Sequence, residues 1–99
     1  MAELEYALTW RLYIGASLKP YEPILREADI PGYTVYSGWG GFKDVAGFPH
    51  TEIASVVEVV GITMPVALEL AEALRVRYQQ DEVLVTQKIE YVTHVRGGG

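Results

Sequence analysis

Extended and helical segments alternate in the order β-α-β-β-α-β along these 99 residues, which predicts an α+β domain with a four-stranded antiparallel sheet. Residues 8–15 alternate, with Leu8, Trp10, Leu12 and Ile14 opposing Thr9, Arg11 and Tyr13, as in a half-buried strand. Residues 53–60 are apolar at nearly every position, as in a central strand covered on both faces, with Glu58 as the lone charge. Residues 64–80 place Ala67, Leu70, Ala71, Leu74 and Tyr78 on one helical face, with Glu69, Glu72, Arg75 and Gln79 opposite.

The remaining elements follow from punctuation. Pro20 ends the first strand, and Pro23 suits the first turn of a short helix reaching Ala28. Pro31 and Gly32 open a second strand over 32–37. Gly61 closes the third strand, Thr63 is positioned to cap the second helix, and Pro65 fits that helix's first turn. Val83, Val85, Ile89 and Tyr91 share one face of a last strand over 83–95, long enough to overhang the sheet. Right-handed crossovers then place the first and third strands at the centre and both helices on one face, the ferredoxin-like arrangement. On the other face Arg11 is expected between Glu58 and Glu90. All 99 residues form one domain, with 97–99 expected as a disordered tail.

A domain of this size buries only about 60–70% of its unfolded surface, so its core is thin. Half the chain is nonetheless apolar, and a subunit interface would take up the surplus. A third strand apolar on both faces beside a very short first helix therefore predicts a closed homo-oligomer, with a trimer favoured. The absence of Cys excludes thiol chemistry and thiolate metal sites. The first residues lack a signal-peptide pattern and no stretch has the length of a membrane span, so a cytoplasmic protein without membrane contact is expected. A net charge of −5 disfavours nucleic acid as a partner. Seven Tyr, two Trp and two Phe suggest base stacking, but Tyr13 and Tyr36 share their face with Glu58 and Glu90, and no RNA-binding signature motif is present.

The stretch 38–50 reads as a glycine-and-aromatic loop. Backbone N–H groups at Gly38, Gly40 and Gly41, with Lys43 as a point charge, would cradle a small anion. The same loop, presenting Trp39, Phe42 and Phe48, is alternatively a surface for a protein partner. His50 and His94 lack companions at metal-ligand spacing, so no metal site is expected. A small dimeric, cofactor-free enzyme using His50 as a base is a third reading, and a strand-entry histidine making a local hydrogen bond is the simpler account.

Four pieces in order, Leu18-Lys19-Pro20, Gly32-Tyr33-Thr34-Val35, Gly41-Phe42 followed by His50-Thr51-Glu52, and Val95-Arg96-Gly97, resemble the PII-type signalling proteins. The resemblance implies a trimer that binds an adenine nucleotide in clefts between subunits, with Thr34, Gly41, Lys43 and Arg96 on the ligand side. The chain departs from that pattern in its short loop and in running through Gln79-Gln80-Asp81-Glu82 directly into the last strand, without a phosphate-binding loop. Residues 33–43 are also similar to a family of small uncharacterised bacterial proteins of the same fold. The leading expectation is thus a non-enzymatic oligomer binding a small anionic or nucleotide ligand through Thr34, Gly38, Gly40, Gly41, Lys43 and Arg96, without a cofactor.

Overall fold

In the computed structural model, residues 4–19, 21–42 and 51–97 are described, apart from the side chains of Trp39, Phe42 and Thr51. Alternation splits β1 (Glu5–Ile14) between two environments. Trp10, Leu12 and Ile14 are buried on the helix side, and Trp10 Nε1 donates to the Ile62 carbonyl at 2.9 Å. The helices that cover them are α1 (Pro23–Glu27) and α2 (Met64–Arg77). Leu25 from α1 and Ala67, Leu70, Ala71 and Leu74 from α2 join Trp10, Leu12, Ile14, Val57 and Val59 in one hydrophobic cluster.

The fold is α+β with an antiparallel sheet and two helices. Its strands are β1, β2 (Thr34–Phe42), β3 (Thr51–Val60) and β4 (Leu84–Val92), in the spatial order β2-β3-β1-β4 among the described residues. β1 pairs with β3 as Arg11↔Glu58 and with β4 as Leu8↔Ile89, while β2 pairs with β3 as Thr34↔Glu58. The central position expected for the first and third strands is observed.

The sheet ends are offset. At one end Glu5↔Val92 and Tyr6↔Tyr91 extend the β1–β4 pair beyond the last β1–β3 partners, Thr9↔Val60. At the other, Gly40↔Ile53 and Phe42↔Thr51 extend the β2–β3 pair beyond Ile14↔Ser55. These diagonal extensions contribute to the elongated 53 × 30 × 25 Å envelope.

Several boundaries depart from expectation; β1 starts at Glu5 instead of Leu8, and β4 spans Leu84–Val92 instead of 83–95. β2 continues to Phe42 instead of ending at Ser37, because a register shift between Ser37 and Gly40 lets pairing with β3 resume. The first part of the expected 38–50 loop is therefore strand. Helix α2 stops at Arg77 because Gln79 adopts a left-handed φ of 54°, with Gln80 N–H bonded to the Arg75 carbonyl at 2.9 Å and Gln79 N–H to Val76 at 3.2 Å. That pairing closes a helix C-terminus without glycine. Thr63 occupies the N-cap position of α2, but its side chain makes no capping bond. Among the described residues, no helix is long and apolar enough to cross a membrane.

Candidate functional site

The sheet face opposite the helices carries a connected polar network. Arg11 Nε donates to Glu58 Oε2 at 2.9 Å, Arg11 Nη2 reaches Glu90 Oε1 at 3.5 Å, and Tyr36 Oη donates to Glu58 at 3.5 Å. Arg11 thus sits between the two glutamates, as its register position predicts. Burial works against the guanidinium charge, but hydrogen bonds and charge from Glu58 and Tyr36 outweigh it and raise the Arg11 pKa above its ordinary value. Glu90 accepts from Thr9 Oγ1 at 3.0 Å, and Lys88 Nζ lies 3.5 Å from its carboxylate. The Thr9 hydrogen bond is the largest influence holding the Glu90 carboxyl below its ordinary value, and Lys88 and Arg11 act in the same direction. Although no helix among the described residues covers this face, Thr9 and Val56 are buried on it.

Glu58 also borders a groove of about 470 Å³ at the end of the sheet where β1 and β4 overhang. Tyr6, Tyr33, Thr34, Val92 and His94 are among its walls. Its charged walls among the described residues are Glu5 and Glu58, without Lys or Arg. The mixture of tyrosine rings, aliphatic side chains and a few convergent polar groups is the usual chemistry of a small-molecule site. Among the described residues, no group of three potential metal ligands occurs.

The expected site residues fall at two places. Thr34 lines the groove, and Arg96 is exposed just beyond His94 at the same end of the molecule. Gly38, Gly40 and Gly41 lie toward the opposite end of β2, with Gly40 paired to Ile53 and Gly41 to Glu52. At strand rise, Thr34 and Gly41 are about 23 Å apart along β2. Gly40 and Gly41 are therefore ladder residues and do not form the compact glycine nest expected. A Cβ at Gly38 would approach Val56 Cγ2 to 3.1 Å, so packing alone accounts for that glycine, whereas a Cβ at Gly40 would meet open space. The described glycine with a left-handed φ is Gly61, at 82°. Trp39 and Phe42 lie on β2, while Lys43, Phe48 and His50 fall outside the described residues.

A second polar cluster escapes sequence reasoning. Glu22, 1% exposed, caps α1 by accepting from Ile24 N–H at 3.3 Å, accepts the Tyr78 hydroxyl, and pairs with Arg77 Nε at 2.7 Å. It fastens the short first helix to the end of the second. A Glu immediately before Pro23 is its local signal, but the Tyr78 and Arg77 partners depend on the helix–helix contact. His94 as a groove residue was likewise hidden, since only the offset of β4 brings it beside Thr34. Neither protein-family models nor curated proteins give a match to this chain.

Proposed function

We propose that this chain is a non-enzymatic, cytoplasmic, ferredoxin-like subunit of a closed homo-oligomer that binds a small anionic or nucleotide ligand where two subunits meet. The β2-β3-β1-β4 order supports the fold assignment. One observation carries the functional reading: Thr34 borders a ligand-sized groove while Gly40 and Gly41 sit at the far end of the same strand. A site that uses both groups needs two chains, the Thr34 end of one meeting the glycine-rich end of another. Lys43, outside the described residues, follows Phe42 in sequence, and Arg96 follows the groove residue His94, so a cleft formed by the two ends would have a cation close in sequence to each. The PII resemblance implies an adenine nucleotide and three subunits, with no further cofactor.

The groove's own charge favours a second ligand class. Glu5, together with Glu58, whose charge is shared with Arg11, and without a lining Lys or Arg, would suit an amine-bearing ligand better than a phosphate. Native mass spectrometry of the purified protein, followed by calorimetry with adenine nucleotides and simple amines, separates the two. The anionic reading expects nucleotide binding that Lys43→Ala and Arg96→Ala each weaken by about tenfold or more, with the effect shrinking at high salt. Nucleotide binding unchanged in both variants refutes it. A partner protein lost on Trp39→Ala or Phe42→Ala would instead indicate an interaction module.

A further inference from the structure

β4 forms an open edge of the sheet among the described residues. β4 has β1 on one side and no strand on the other among the described residues, and it pairs from Leu84 to Val92 without a bulge or proline. An edge of this kind presents backbone N–H and C=O groups to any strand of suitable register. The other edge, β2, is interrupted by its register shift between Ser37 and Gly40. On the helix side of the β4 end, Ile89 is 64% exposed, Tyr91 62% and Tyr6 70%, with the two tyrosine rings packed on each other 4.4 Å apart.

Charge selects the register. In a twofold antiparallel pairing that continues the sheet, the residue on the axis faces its own copy, and side chains on one face meet side chains of the same face. An axis at Lys88 opposes two lysines, and an axis at Glu90 opposes two glutamates. An axis at Gln87 sets Lys88 against Thr86 and leaves both charges without an opposite. With the axis at Ile89, Lys88 of each copy faces Glu90 of the other, twice, and the exposed Ile89 side chains meet. Lys88 lies 3.5 Å from Glu90 of its own chain, and its side chain, 63% exposed, has room to turn toward Glu90 of the other copy, while Glu90 is held by Thr9 and Arg11. Val92, a wall of the groove, then lies opposite Thr86 of the second copy, so pairing also adds to that wall.

We propose that two copies of this chain join antiparallel through β4 about a twofold axis at Ile89, forming one continuous sheet. Pairing through β4 leaves β2 at the two outer edges of the continuous sheet, so it does not bring the glycine-rich end of one copy to the Thr34 groove of the other and is an alternative to that cleft assembly. It favours a twofold pair over the threefold assembly implied by the resemblance.

A chain without cysteine allows a direct test. The Ile89→Cys variant should form an interchain disulfide on mild oxidation. In Gln87→Cys and Tyr91→Cys the two copies of the same residue stand about 13 Å apart, beyond the roughly 7 Å limit for a disulfide. Ile89→Cys should therefore cross-link at least about tenfold faster than either, and light scattering of the wild type should give twice the 11.0 kDa chain mass. A monomer at about 100 μM, a trimer, or cross-linking no faster at 89 than at 87 and 91 overturns the proposal, as does a strand of another protein occupying the edge in place of a second copy. Lys88→Glu and Glu90→Lys should each dimerise about tenfold more weakly alone, whereas their equal mixture should recover wild-type affinity. If Glu90→Lys fails to fold beside Arg11, the cysteine series still decides.

Discussion

Replacing Glu22 by Ala tests whether a single buried carboxylate anchors the first helix. α1 is five residues long, too short to be stable alone, and Leu25 is its one fully buried residue. Loss of the cap at Ile24 N–H costs about 1 kcal/mol. Removing the acceptor of the half-buried Tyr78 hydroxyl adds about 1–2 kcal/mol. The Arg77 pair adds less than about 1 kcal/mol, because the Arg77 side chain is 47% exposed and rehydrates when released. Glu22→Ala should therefore destabilise by about 2–4 kcal/mol, a large share of the roughly 5–15 kcal/mol that holds a small domain folded. Glu22→Gln keeps an acceptor for both the cap and Tyr78 and loses the charge, so about 1 kcal/mol is expected. Urea denaturation of both variants, fitted with a common m-value, measures the difference. Equal losses for Ala and Gln, or a loss below about 1 kcal/mol for Ala, would show that the carboxylate does not hold the helix in the way described.

Leu74 is fully buried between α2 and the sheet, so Leu74→Ala should cost about 2–5 kcal/mol in a urea melt, while Val76→Ala on the exposed side of α2 should change stability by less than about 0.5 kcal/mol. Similar losses from the two would mean that the helix faces the sheet differently. Burial, reinforced by the hydrogen bond to Glu22, raises the Tyr78 hydroxyl above its ordinary value. The folded state therefore holds this proton more tightly than the unfolded state does. Its contribution is complete below a pH of about 10 and is lost as pH rises through the raised value. Stability measured across that range should fall more steeply in the wild type than in Tyr78→Phe, and identical slopes would exclude Tyr78 as the source.

The periodic elements were legible because their signals are local. Leu8 to Ile14 alternate strictly, and Ala67, Leu70, Ala71 and Leu74 repeat at helical spacing, so each buries the face its own sequence marks. The extent of β2 was not legible, because glycine ordinarily weakens a strand, and Gly38, Gly40 and Gly41 argued for a loop. What keeps the strand going is non-local: the bulge after Ser37 and the partners Ile53 and Glu52 on β3. The end of α2 was misplaced for a related reason, since a glutamine in the left-handed conformation at Gln79 carries no compositional mark of a helix stop. As for the candidate groove, the PII resemblance implied Thr34 as a ligand-side residue, and the groove that Thr34 borders was not legible. A groove built from Tyr6, Tyr33, Glu58 and His94 exists only once the offset of the strands is set.

That offset is specified on the face that the helices leave bare. Hydrophobic alternation forbids a one-residue slip of β3 against β1, which would turn Val57 and Val59 out of the core and Glu58 into it. It does not forbid a slip of two residues, which keeps every apolar side chain on its proper face. The Arg11–Glu58 pair does: a slip of two would set Arg11 opposite Val56 or Val60 and leave a half-buried guanidinium with only the more distant Glu90 carboxylate. The pair need add little net stability to have this effect, because the penalty falls on the alternatives. The same logic operates along β4, where Lys88 and Glu90 leave the apolar pattern unchanged and separate one pairing register from its neighbours by two residues. The charges on this face thus set how the strands align within the chain and, on the pairing proposed for β4, between chains.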